Sequence, residues 1–378
     1  MVTNPFLGHF LPLVPLAQEL QARGHEVVVA SEPGFGATVT AYGLDHVPVG
    51  CDLTIDDVLA SVPDIMSVPP EEQDTYARPR MFVALRAHNV LDELRDFVDR
   101  FAPELVLRES AEFASWALAE RSSLPHISVT LGAGESALEW GRLADPWFAE
   151  LGDRVGLEHL DATSLHRYGL VSFAPAGYHD WSGTPGARTF RPGVAWTAQQ
   201  VERDEAWDFG DRPIVYATLG TEFFDAGVMR RVVGAVVAVG AAAVVTTGPS
   251  HDPGTIETGS ATVVVRRWID QDRLLPHVAV VISHGGAGTV SGALCHGVPL
   301  VVVPRGADQF AHARRVEELG VGIAVSPAAL ESQLDDVVAS VLCDPRFADA
   351  ARDIARETAR LPGVDAAARV VERIGVEP

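Results

Sequence analysis

Short runs of β-branched and other apolar residues alternate with helix-length segments along the whole chain. Such runs are typical of parallel strands that are buried on both faces. In the first half the predicted strands are Glu26–Ala30, Asp45–Val49, Glu104–Leu107, His126–Leu131 and Leu170–Phe173. In the second half they are Pro213–Leu219, Ala242–Thr247, Thr262–Val265, Val278–Ile282, Val298–Val303 and Val321–Val325. Two such sheets predict an α/β protein with two doubly wound, Rossmann-like domains and an interdomain cleft.

The length and one composition shift place the domain boundaries. A chain of 378 residues fits two domains of about 150 residues each. We expect an N-terminal domain over 1–195, a charged and aromatic linker over 196–212, and a C-terminal domain over 213–355. The helical pattern of 356–378 predicts a last helix that packs back on the N-terminal domain. Ser61–Pro79 is rich in proline and acid, which predicts a loop.

The charged residues exclude several function classes. The chain has 51 acidic residues and 29 basic ones, all of them arginine, for a net charge of −22. This balance argues against nucleic acid or a membrane surface as a partner. The absence of lysine excludes a P-loop lysine, a kinase-type lysine and a lysine Schiff base. Three well-separated cysteines and the lack of a secretory signal pattern predict a cytoplasmic protein.

A glycine-rich turn carries the strongest chemical signal. Ser283–Thr289 reads S-H-G-G-A-G-T and lies between a buried strand and a helix. Glycines there let a diphosphate approach the backbone N–H groups, and the helix N-terminus adds partial positive charge. His284 can donate one more hydrogen bond to a phosphate oxygen. A tight turn with small residues for close packing would have the same sequence.

The surroundings of this turn carry a family resemblance. Trp268-x-x-Gln271 and Leu275-x-His277 precede it, and a P-x-x-x-D-Q segment from Pro304 to Gln309 follows it. Together they resemble the donor-binding signature of family 1 glycosyltransferases, which have the glycosyltransferase B (GT-B) fold. The chain looks most like bacterial members that decorate natural products.

The resemblance implies a set of donor-binding residues. They are Trp268, Ile269 and Gln271 at the nucleobase; His284, Gly286, Ala287, Gly288 and Thr289 at the diphosphate; Asp308 and Gln309 at the sugar hydroxyls; and Thr218, Gly220 and Thr221 in the first loop of the domain. A carboxylate beside an amide suits sugar hydroxyls, because the first only accepts hydrogen bonds and the second also donates them.

The N-terminal segment Asn4–Pro12, N-P-F-L-G-H-F-L-P, carries a second signal. Only Met1–Thr3 precede it, about half of a typical strand. We expect a turn that enters a helix, with Pro12 and Pro15 tolerated in the first helical turn. The resemblance implies that His9 is the general base that deprotonates the acceptor. A base of this kind needs a carboxylate on its other ring nitrogen. The candidate is Glu109, which follows Glu104–Leu107, the fourth strand when Met1–Thr3 is counted as the first, and Glu112 is the alternative.

The remaining site predictions concern the acceptor and metals. Apolar residues that fit an acceptor wall, although most fit a core equally well, are Phe6, Phe10, Met66, Phe82 and Trp140. Asp270-Gln271-Asp272 matches a metal-binding D-x-D pattern, but it lies inside the donor signature. We therefore expect no metal, and no cofactor besides the nucleotide-sugar co-substrate.

Two departures from the family pattern bear on the donor. Plant relatives have a glutamate for both ribose hydroxyls at the position of Gly292, eight residues after His284. A deoxyribose lacks one of those hydroxyls, so we hypothesise a thymidine-diphosphate (dTDP) donor. His312 stands where many relatives have asparagine, and the sequence indicates no consequence.

These observations predict an inverting glycosyltransferase that moves a sugar from a nucleotide-diphosphate donor to a hydroxyl of a small apolar aglycone. The alternatives are a nucleotide-sugar epimerase of the same fold and a non-catalytic nucleotide-sugar-binding auxiliary protein. A nicotinamide dehydrogenase is disfavoured because the turn at His284 lacks G-x-G-x-x-G spacing. The sequence leaves open the aglycone, the sugar, an O-, N- or C-glycosidic bond, any activator protein, and the oligomeric state, a homodimer included.

Overall fold

The computed structural model describes residues 1–130, 137–181, 183–193, 209–221, 224–256 and 260–376. Most of the predicted linker, 196–212, and the end of one predicted strand, Leu131, lie outside these residues. The chain forms two compact units. The described residues of the N-terminal unit are 1–174, 179–193 and 361–376, and those of the C-terminal unit are 175–178 and the described part of 209–360.

The N-terminal unit is built on a parallel sheet. Its strands are β1 (Val28–Ser31), β2 (Asp45–Pro48), β3 (Val106–Glu109), β4 (His126–Thr130), β5 (Leu170–Ser172) and β6 (Ala187–Thr189). The predicted first strand is reduced to Met1–Thr3, where Val2 bridges Ala30 of β1 and Arg108 of β3 in parallel. The sheet order is therefore β2-β1-(Met1–Thr3)-β3-β4-β5-β6. The sequence does not predict the strand β6, because its residues, Ala-Arg-Thr, are not an apolar run and none of them is buried.

Helices cover this sheet. They are α1 (Leu7–Phe10), α2 (Val14–Ala22), α3 (Gly36–Ala41), α4 (Ile55–Ser61), α5 (Gln73–Pro79), α6 (His88–Phe101), α7 (Ala114–Ser122) and α8 (Ala137–Val155), with a π-helix at Arg80–Ala87 between α5 and α6. Short 3₁₀ turns lie at Pro33–Phe35, Ile65–Ser67 and Ala162–Ser164. The predicted loop at Ser61–Pro79 is therefore wrong over α5, whose proline comes at the end of the helix.

The C-terminal unit is also a parallel sheet between helices. Its strands are β7 (Ile214–Thr218), β8 (Ala242–Thr246), β9 (Val263–Arg266), β10 (Val280–Ser283), β11 (Leu300–Val302) and β12 (Gly322–Ala324). Within the described residues the order is β9-β8-β7-β10-β11-β12. Numbered along the chain, this order reads 3-2-1-4-5-6, that of a Rossmann sheet.

The helices of the C-terminal unit are α9 (Ala226–Ala238), α10 (Gln271–Leu274), α11 (Ala287–Cys295), α12 (Gln309–Glu318), α13 (Leu330–Cys343) and α14 (Pro345–Arg360), with 3₁₀ turns at Pro253–Thr255, Leu275–His277 and Pro327–Ala329. The last helix, α15 (Val364–Val376), belongs to the N-terminal unit and packs on α2. The chain returns to that unit at Leu361, where Pro362 separates the two helices. The predicted return at 356 lies inside α14.

One local prediction about the first helix is wrong. The chain forms the single turn α1 over Leu7–Phe10, and α2 begins only at Val14. Pro12 lacks the N–H that a continuous helix needs, so the two pieces stay separate. His9 consequently lies in a helical turn of its own rather than before a helix. Among the described residues no helix is long and apolar enough to cross a membrane.

Candidate active site

The topology brings the predicted donor residues to one edge of the C-terminal sheet. In an open parallel sheet, ligands bind at the carboxyl ends of the strands, next to the point where the strand order reverses. Here that point lies between β7 and β10. Thr218 ends β7, and His284 directly follows β10. Neighbouring loops at the same edge carry Trp268 after β9 and Asp308 after β11.

The glycines around His284 are required by the position of its ring. A Cβ atom at Gly286 would lie 2.5 Å from His284 Nε2, and one at Gly220 would lie 2.7 Å from Cε1. At Gly285, whose φ is +92°, a Cβ would lie 2.8 Å from the side chain of Val302. The tight-packing explanation of the turn therefore holds for these three glycines. It does not exclude a ligand.

Gly288 differs from the other glycines of this turn. A Cβ there would meet no atom within 4 Å, so nothing in the protein requires a glycine at this place. Gly288 lies in the first turn of α11, whose leading N–H groups have no intrahelical acceptor. An open approach to unpaired amides at a helix N-terminus is what a diphosphate needs.

Burial keeps the His284 ring neutral. Its side chain is only 7% exposed, and burial lowers its pKa to about 4, although Asp308 acts in the opposite direction. The ring also hydrogen-bonds to the backbone of Thr218. A neutral imidazole contributes hydrogen bonding but no charge, so the charge of a diphosphate must be met by the backbone amides and the helix terminus.

The loop after β11 corrects the prediction for Gln309. Its Oε1 accepts hydrogen bonds from the backbone N–H groups of Arg305, at 2.7 Å, and Gly306, at 3.1 Å. Gln309 is 1% exposed, and the acceptor half of its amide is committed to the loop. Ala307 adopts a φ of +52°, a left-handed conformation that costs free energy outside glycine. Asp308 is more accessible, and its Oδ2 accepts a hydrogen bond from His312 Nε2 at 3.1 Å.

In the W-x-x-Q segment the side chain of Trp268 is exposed, and that of Gln271 is held by a hydrogen bond. Trp268 is 51% exposed, so it is not a core aromatic. Gln271 donates from Nε2 to the hydroxyl of Tyr216 at 3.2 Å, and Tyr216 also bonds to Thr246. A Cβ at Gly292 would lie 3.4 Å from Gln271 Oε1. Gln271 therefore lies in van der Waals range of position 292, where plant relatives have a carboxylate.

In the N-terminal unit the strand order reverses between Met1–Thr3 and β3, and the predicted base lies at that point. His9 Nδ1 lies 3.0 Å from Glu109 Oε1. Glu109 is the last residue of β3 and is fully buried. The Nδ2 of Asn4 donates to the same Oε1, and the backbone N–H of Ala111 donates to Oε2 at 2.6 Å. These donors hold the carboxylate in one orientation.

The electrostatics of Glu109 favour the ionised form. Burial raises the pKa of Glu109, but the charge of His9 and the hydrogen bonds from His9, Ala111 and Asn4 outweigh it and leave the pKa lowered. An ionised carboxylate only accepts hydrogen bonds, so His9 carries a proton on Nδ1 and leaves Nε2 as a base. This is the arrangement that the prediction for Glu109 required.

The alternative partner, Glu112, has a different environment. It accepts hydrogen bonds from the backbone N–H of Ser115, at 3.1 Å, and from the Ser115 hydroxyl. Burial raises the pKa of Glu112. Glu112 thus lies at the start of α7, and Glu109 is the carboxylate that contacts His9.

Of the residues predicted for the acceptor wall, Phe6 and Phe82 lie next to His9. The rings of Phe6 and Phe82 lie 5.1 and 5.4 Å from the His9 ring and 6.4 Å from each other, so the three rings form one cluster. The predictions for Phe10 and Trp140 are wrong, because both are buried in cores, where Phe10 packs on Phe35 and Tyr42 and Trp140 packs on Phe113. Met66 is 88% exposed on a short 3₁₀ turn.

Sequence reasoning missed a buried ion pair next to this site. Arg86 donates to Glu32 Oε1 at 2.5 Å, and its guanidinium lies 4.5 Å from the centre of the Phe6 ring. Arg86 and Phe82 both lie in the π-helix, a distortion that is frequent at functional sites. Asn4 was also missed as a partner of Glu109, although it begins the same N-P-F motif.

The D-x-D segment has a structural role. The Oδ1 of Asp270 accepts a hydrogen bond from the N–H of Asp272 at 3.1 Å and caps α10. In the part of the chain that the structure describes, no group of three or more His, Cys, Asp or Glu residues is arranged to hold a metal ion.

The fold agrees with that of solved glycosyltransferases. The glycosyltransferase VinC, solved in complex with dTDP, superimposes with a TM-score of 0.78 at 24% identity, over 100% of this chain and 99% of that one. Two parallel, doubly wound units of this kind are the GT-B fold.

The sequence comparisons identify the family. Residues 18–144 match the erythromycin biosynthesis protein CIII-like N-terminal domain, and residues 230–374 match the corresponding C-terminal domain. The chain belongs to this family of natural-product glycosyltransferases. It is 27% identical to the 3-alpha-mycarosylerythronolide B desosaminyl transferase of Saccharopolyspora erythraea, with 89% of each chain covered. It is 28% identical to the TDP-daunosamine transferase DnrS of Streptomyces peucetius, over 97% of this chain and 94% of that one.

Proposed function

We propose that the protein transfers a sugar from a dTDP-linked donor to a hydroxyl of a small apolar natural product, with inversion at the anomeric carbon. The observation that carries this proposal is the contact between His9 and the buried, ionised Glu109 at the strand-order reversal of the N-terminal sheet. An imidazole that a carboxylate orients through Nδ1, so that Nε2 can take up a proton, is the group that a hydroxyl nucleophile needs.

In the proposed reaction, His9 Nε2 takes the hydroxyl proton as the acceptor oxygen forms a bond to the anomeric carbon. The bond from that carbon to the diphosphate oxygen breaks, and the electron pair leaves with the diphosphate. Glu109 stabilises the imidazolium that results. Attack from the side opposite the leaving group inverts the configuration, so an α-linked donor yields a β-glycoside. Phe6 and Phe82, whose rings lie next to the His9 ring, supply an apolar surface for the acceptor.

The diphosphate is proposed to lie at the start of α11, on the N–H groups of Ala287–Thr289. The open space at Gly288 supports this placement. Trp268, half exposed after β9, is proposed to stack on the nucleobase, and Asp308 to bind sugar hydroxyls. Amides and a helix terminus meet the charge of the diphosphate, so we propose a reaction without a metal ion or a cofactor.

The choice of dTDP depends on Gly292. Because position 292 is a glycine, it supplies no carboxylate to bind both ribose hydroxyls. A thymidine nucleotide has only one of these hydroxyls to satisfy. A relative named for a TDP-sugar and a related structure solved with dTDP support the same choice. The three free cysteines support a cytoplasmic location.

The test compares dTDP-glucose with UDP-glucose, which share the sugar, in reactions with a panel of polyketide and aromatic aglycones. We expect turnover with dTDP-glucose at a higher kcat/KM, a β-linked product by NMR, and unchanged rates in a chelator. A preference for UDP-glucose would refute the donor assignment, and an α-linked product would refute inversion. Conversion of the donor without any aglycone would indicate an epimerase instead.

A further inference from the structure

His312 connects the proposed sugar-binding carboxylate to a residue far away in the sequence. Its Nε2 bonds to Asp308 Oδ2 at 3.1 Å, and its Nδ1 lies 2.5 Å from the hydroxyl of Tyr178. The rings of Tyr178 and His312 stack, with centroids 5.7 Å apart and an interplanar angle of 22°. Both side chains are buried.

The segment that carries Tyr178 is fixed to the C-terminal unit. Residues Pro175–Tyr178 belong to that unit although their sequence neighbours on both sides belong to the other. Arg315 donates from Nε to the carbonyl oxygen of Tyr178 at 2.7 Å and from Nη2 to that of Gly177 at 2.6 Å. The N–H of Ala176 donates to the hydroxyl of Thr358 at 2.9 Å.

The spacing of three side chains on α12 explains how the Tyr178 segment is connected to Asp308. Asp308, His312 and Arg315 are separated by four and three residues, so they lie on one face of the helix. The Tyr178 segment contacts His312 and Arg315 on this face, and His312 passes the contact to Asp308, which is 35% exposed. The exposed end of the chain of hydrogen bonds is therefore the carboxylate.

The direction of these hydrogen bonds follows from the donor and acceptor types. A carboxylate only accepts, so His312 donates a hydrogen bond from Nε2 to Asp308. Nδ1 then accepts from the phenol of Tyr178. Burial and the charge of Asp308 raise the pKa of Tyr178, which keeps the phenol protonated and able to donate. Each partner thus supports one tautomer.

We propose that Tyr178 and His312 are positioning residues for the donor sugar, because they hold the partly exposed carboxylate of Asp308 in the orientation in which it meets sugar hydroxyls. This inference rests on the proposed donor role of Asp308. Without the phenol, Nδ1 of His312 loses a hydrogen-bond partner that fixes the rotation of the ring. The ring and the carboxylate that it contacts can then rotate away from this orientation.

The test separates binding of the sugar from binding of the nucleotide. Isothermal titration calorimetry measures the Kd of dTDP and the Kd of a dTDP-sugar for each variant. The dTDP-sugar is whichever of dTDP-glucose and dTDP-rhamnose binds the wild-type protein more tightly. The variants are Tyr178→Phe, His312→Leu and His312→Gln, with Tyr42→Phe as a control in the N-terminal unit. Gln offers one acceptor and one donor, like the ring in its favoured tautomer.

We expect Tyr178→Phe and His312→Leu to weaken binding of the dTDP-sugar about 5- to 10-fold, which is the usual cost of one or two hydrogen bonds. The Kd of dTDP should stay unchanged. His312→Gln should restore dTDP-sugar binding to within about twofold. In turnover, KM for the dTDP-sugar should rise more than kcat falls. Thermal melting of each variant checks that the fold persists.

Other outcomes overturn the inference in distinguishable ways. If wild type binds both compounds and Tyr178→Phe matches it, the positioning role is wrong and the proposed function stands. An equal loss for dTDP and the dTDP-sugar would indicate a general structural role and also overturn it. If wild type binds neither compound, the proposed donor class is wrong, and this inference fails with it.

Discussion

His9 and His284 lie at corresponding places in two similar sheets, where the strand order reverses, but their surroundings are opposite. His9 is partly exposed and contacts a buried, ionised carboxylate, Glu109, which stabilises a positive charge on the ring. His284 is buried against Gly220 and Gly286, and burial lowers its pKa to about 4. The first environment suits a group that gains a proton during the reaction. The second suits a neutral ring that shapes an anion site.

The difference shows that topology selects the place and neighbouring groups select the chemistry. Both sheets bring loops to their carboxyl edge, as any open parallel sheet does. Glu109 at the end of β3 makes the N-terminal edge suitable for a base. At the C-terminal edge, glycines and the start of α11 replace the carboxylate, and the result is a site for negative charge.

The largest effect is expected from removing the base. His9→Ala should lower kcat by about 10²-fold or more, the usual contribution of a general base, and should leave the Kd of dTDP unchanged. Steady-state kinetics and calorimetry on the same preparation measure the two quantities. Near-normal turnover would show that the contrast between the two histidines is not catalytic.

The second effect concerns pH and stability. The His284 pKa falls from an ordinary value of 6.5 to about 4 on folding, so between these values the unfolded chain binds more protons. The free energy of unfolding must therefore fall as the pH falls, by about 2 kcal/mol from pH 7 to pH 5 for this one ring. His284→Gln should remove that share of the pH dependence from the urea transition of the C-terminal unit. If the free energy of unfolding depended on pH identically in the wild-type protein and in His284→Gln, the buried, neutral state of His284 would be contradicted.

A third, smaller effect tests the carboxylate. Glu109→Gln should lower kcat about 10-fold, because it removes the charge that stabilises the imidazolium but preserves size. The acid limb of the pH–rate profile should move to lower pH, since the protonated ring loses its favourable neighbour. Glu112→Gln is the matched control: it is also buried, but it bonds to Ser115. Equal losses in both variants would mean a structural effect.

The smallest effect distinguishes two glycines of the same turn. Gly288→Ala should leave the melting temperature unchanged and weaken dTDP about fivefold, because the new methyl group would meet the diphosphate and no protein atom. Gly286→Ala should lower the melting temperature, since its Cβ would lie 2.5 Å from His284 Nε2. Unchanged dTDP binding in Gly288→Ala would place the diphosphate elsewhere.

Local signals in the sequence were sufficient to predict most of the strands and to propose the main site residues. Runs such as Ile214–Thr218 are buried over their full length. Such a run is stable where both of its faces are covered, as in the middle of a parallel sheet. The glycine turn and His9 were found because each depends on residues adjacent in the chain. The carboxylate partner was predicted as well, since it directly follows a recognisable strand.

The errors concern contacts between distant residues. Phe10 and Trp140 were candidates for an acceptor wall because an aromatic side chain has the same pattern in a core and in a pocket. Gln309 was assigned to the sugar, but its oxygen is satisfied by the loop at Arg305 and Gly306. The contact of Tyr178 with His312 spans 134 positions and follows no motif.

Hydrophobic periodicity, turn glycines and helix breakers act over a few residues, so they are readable in the chain and define two Rossmann-like sheets with a histidine at each reversal of strand order. The protonation and orientation of those histidines depend on burial and on partners that folding brings together: Glu109 for His9 and the glycine surfaces for His284. The orientation of Asp308 likewise depends on His312 and Tyr178. Desolvation and hydrogen-bond geometry are properties of assembled side chains, and they exist only once the chain is folded.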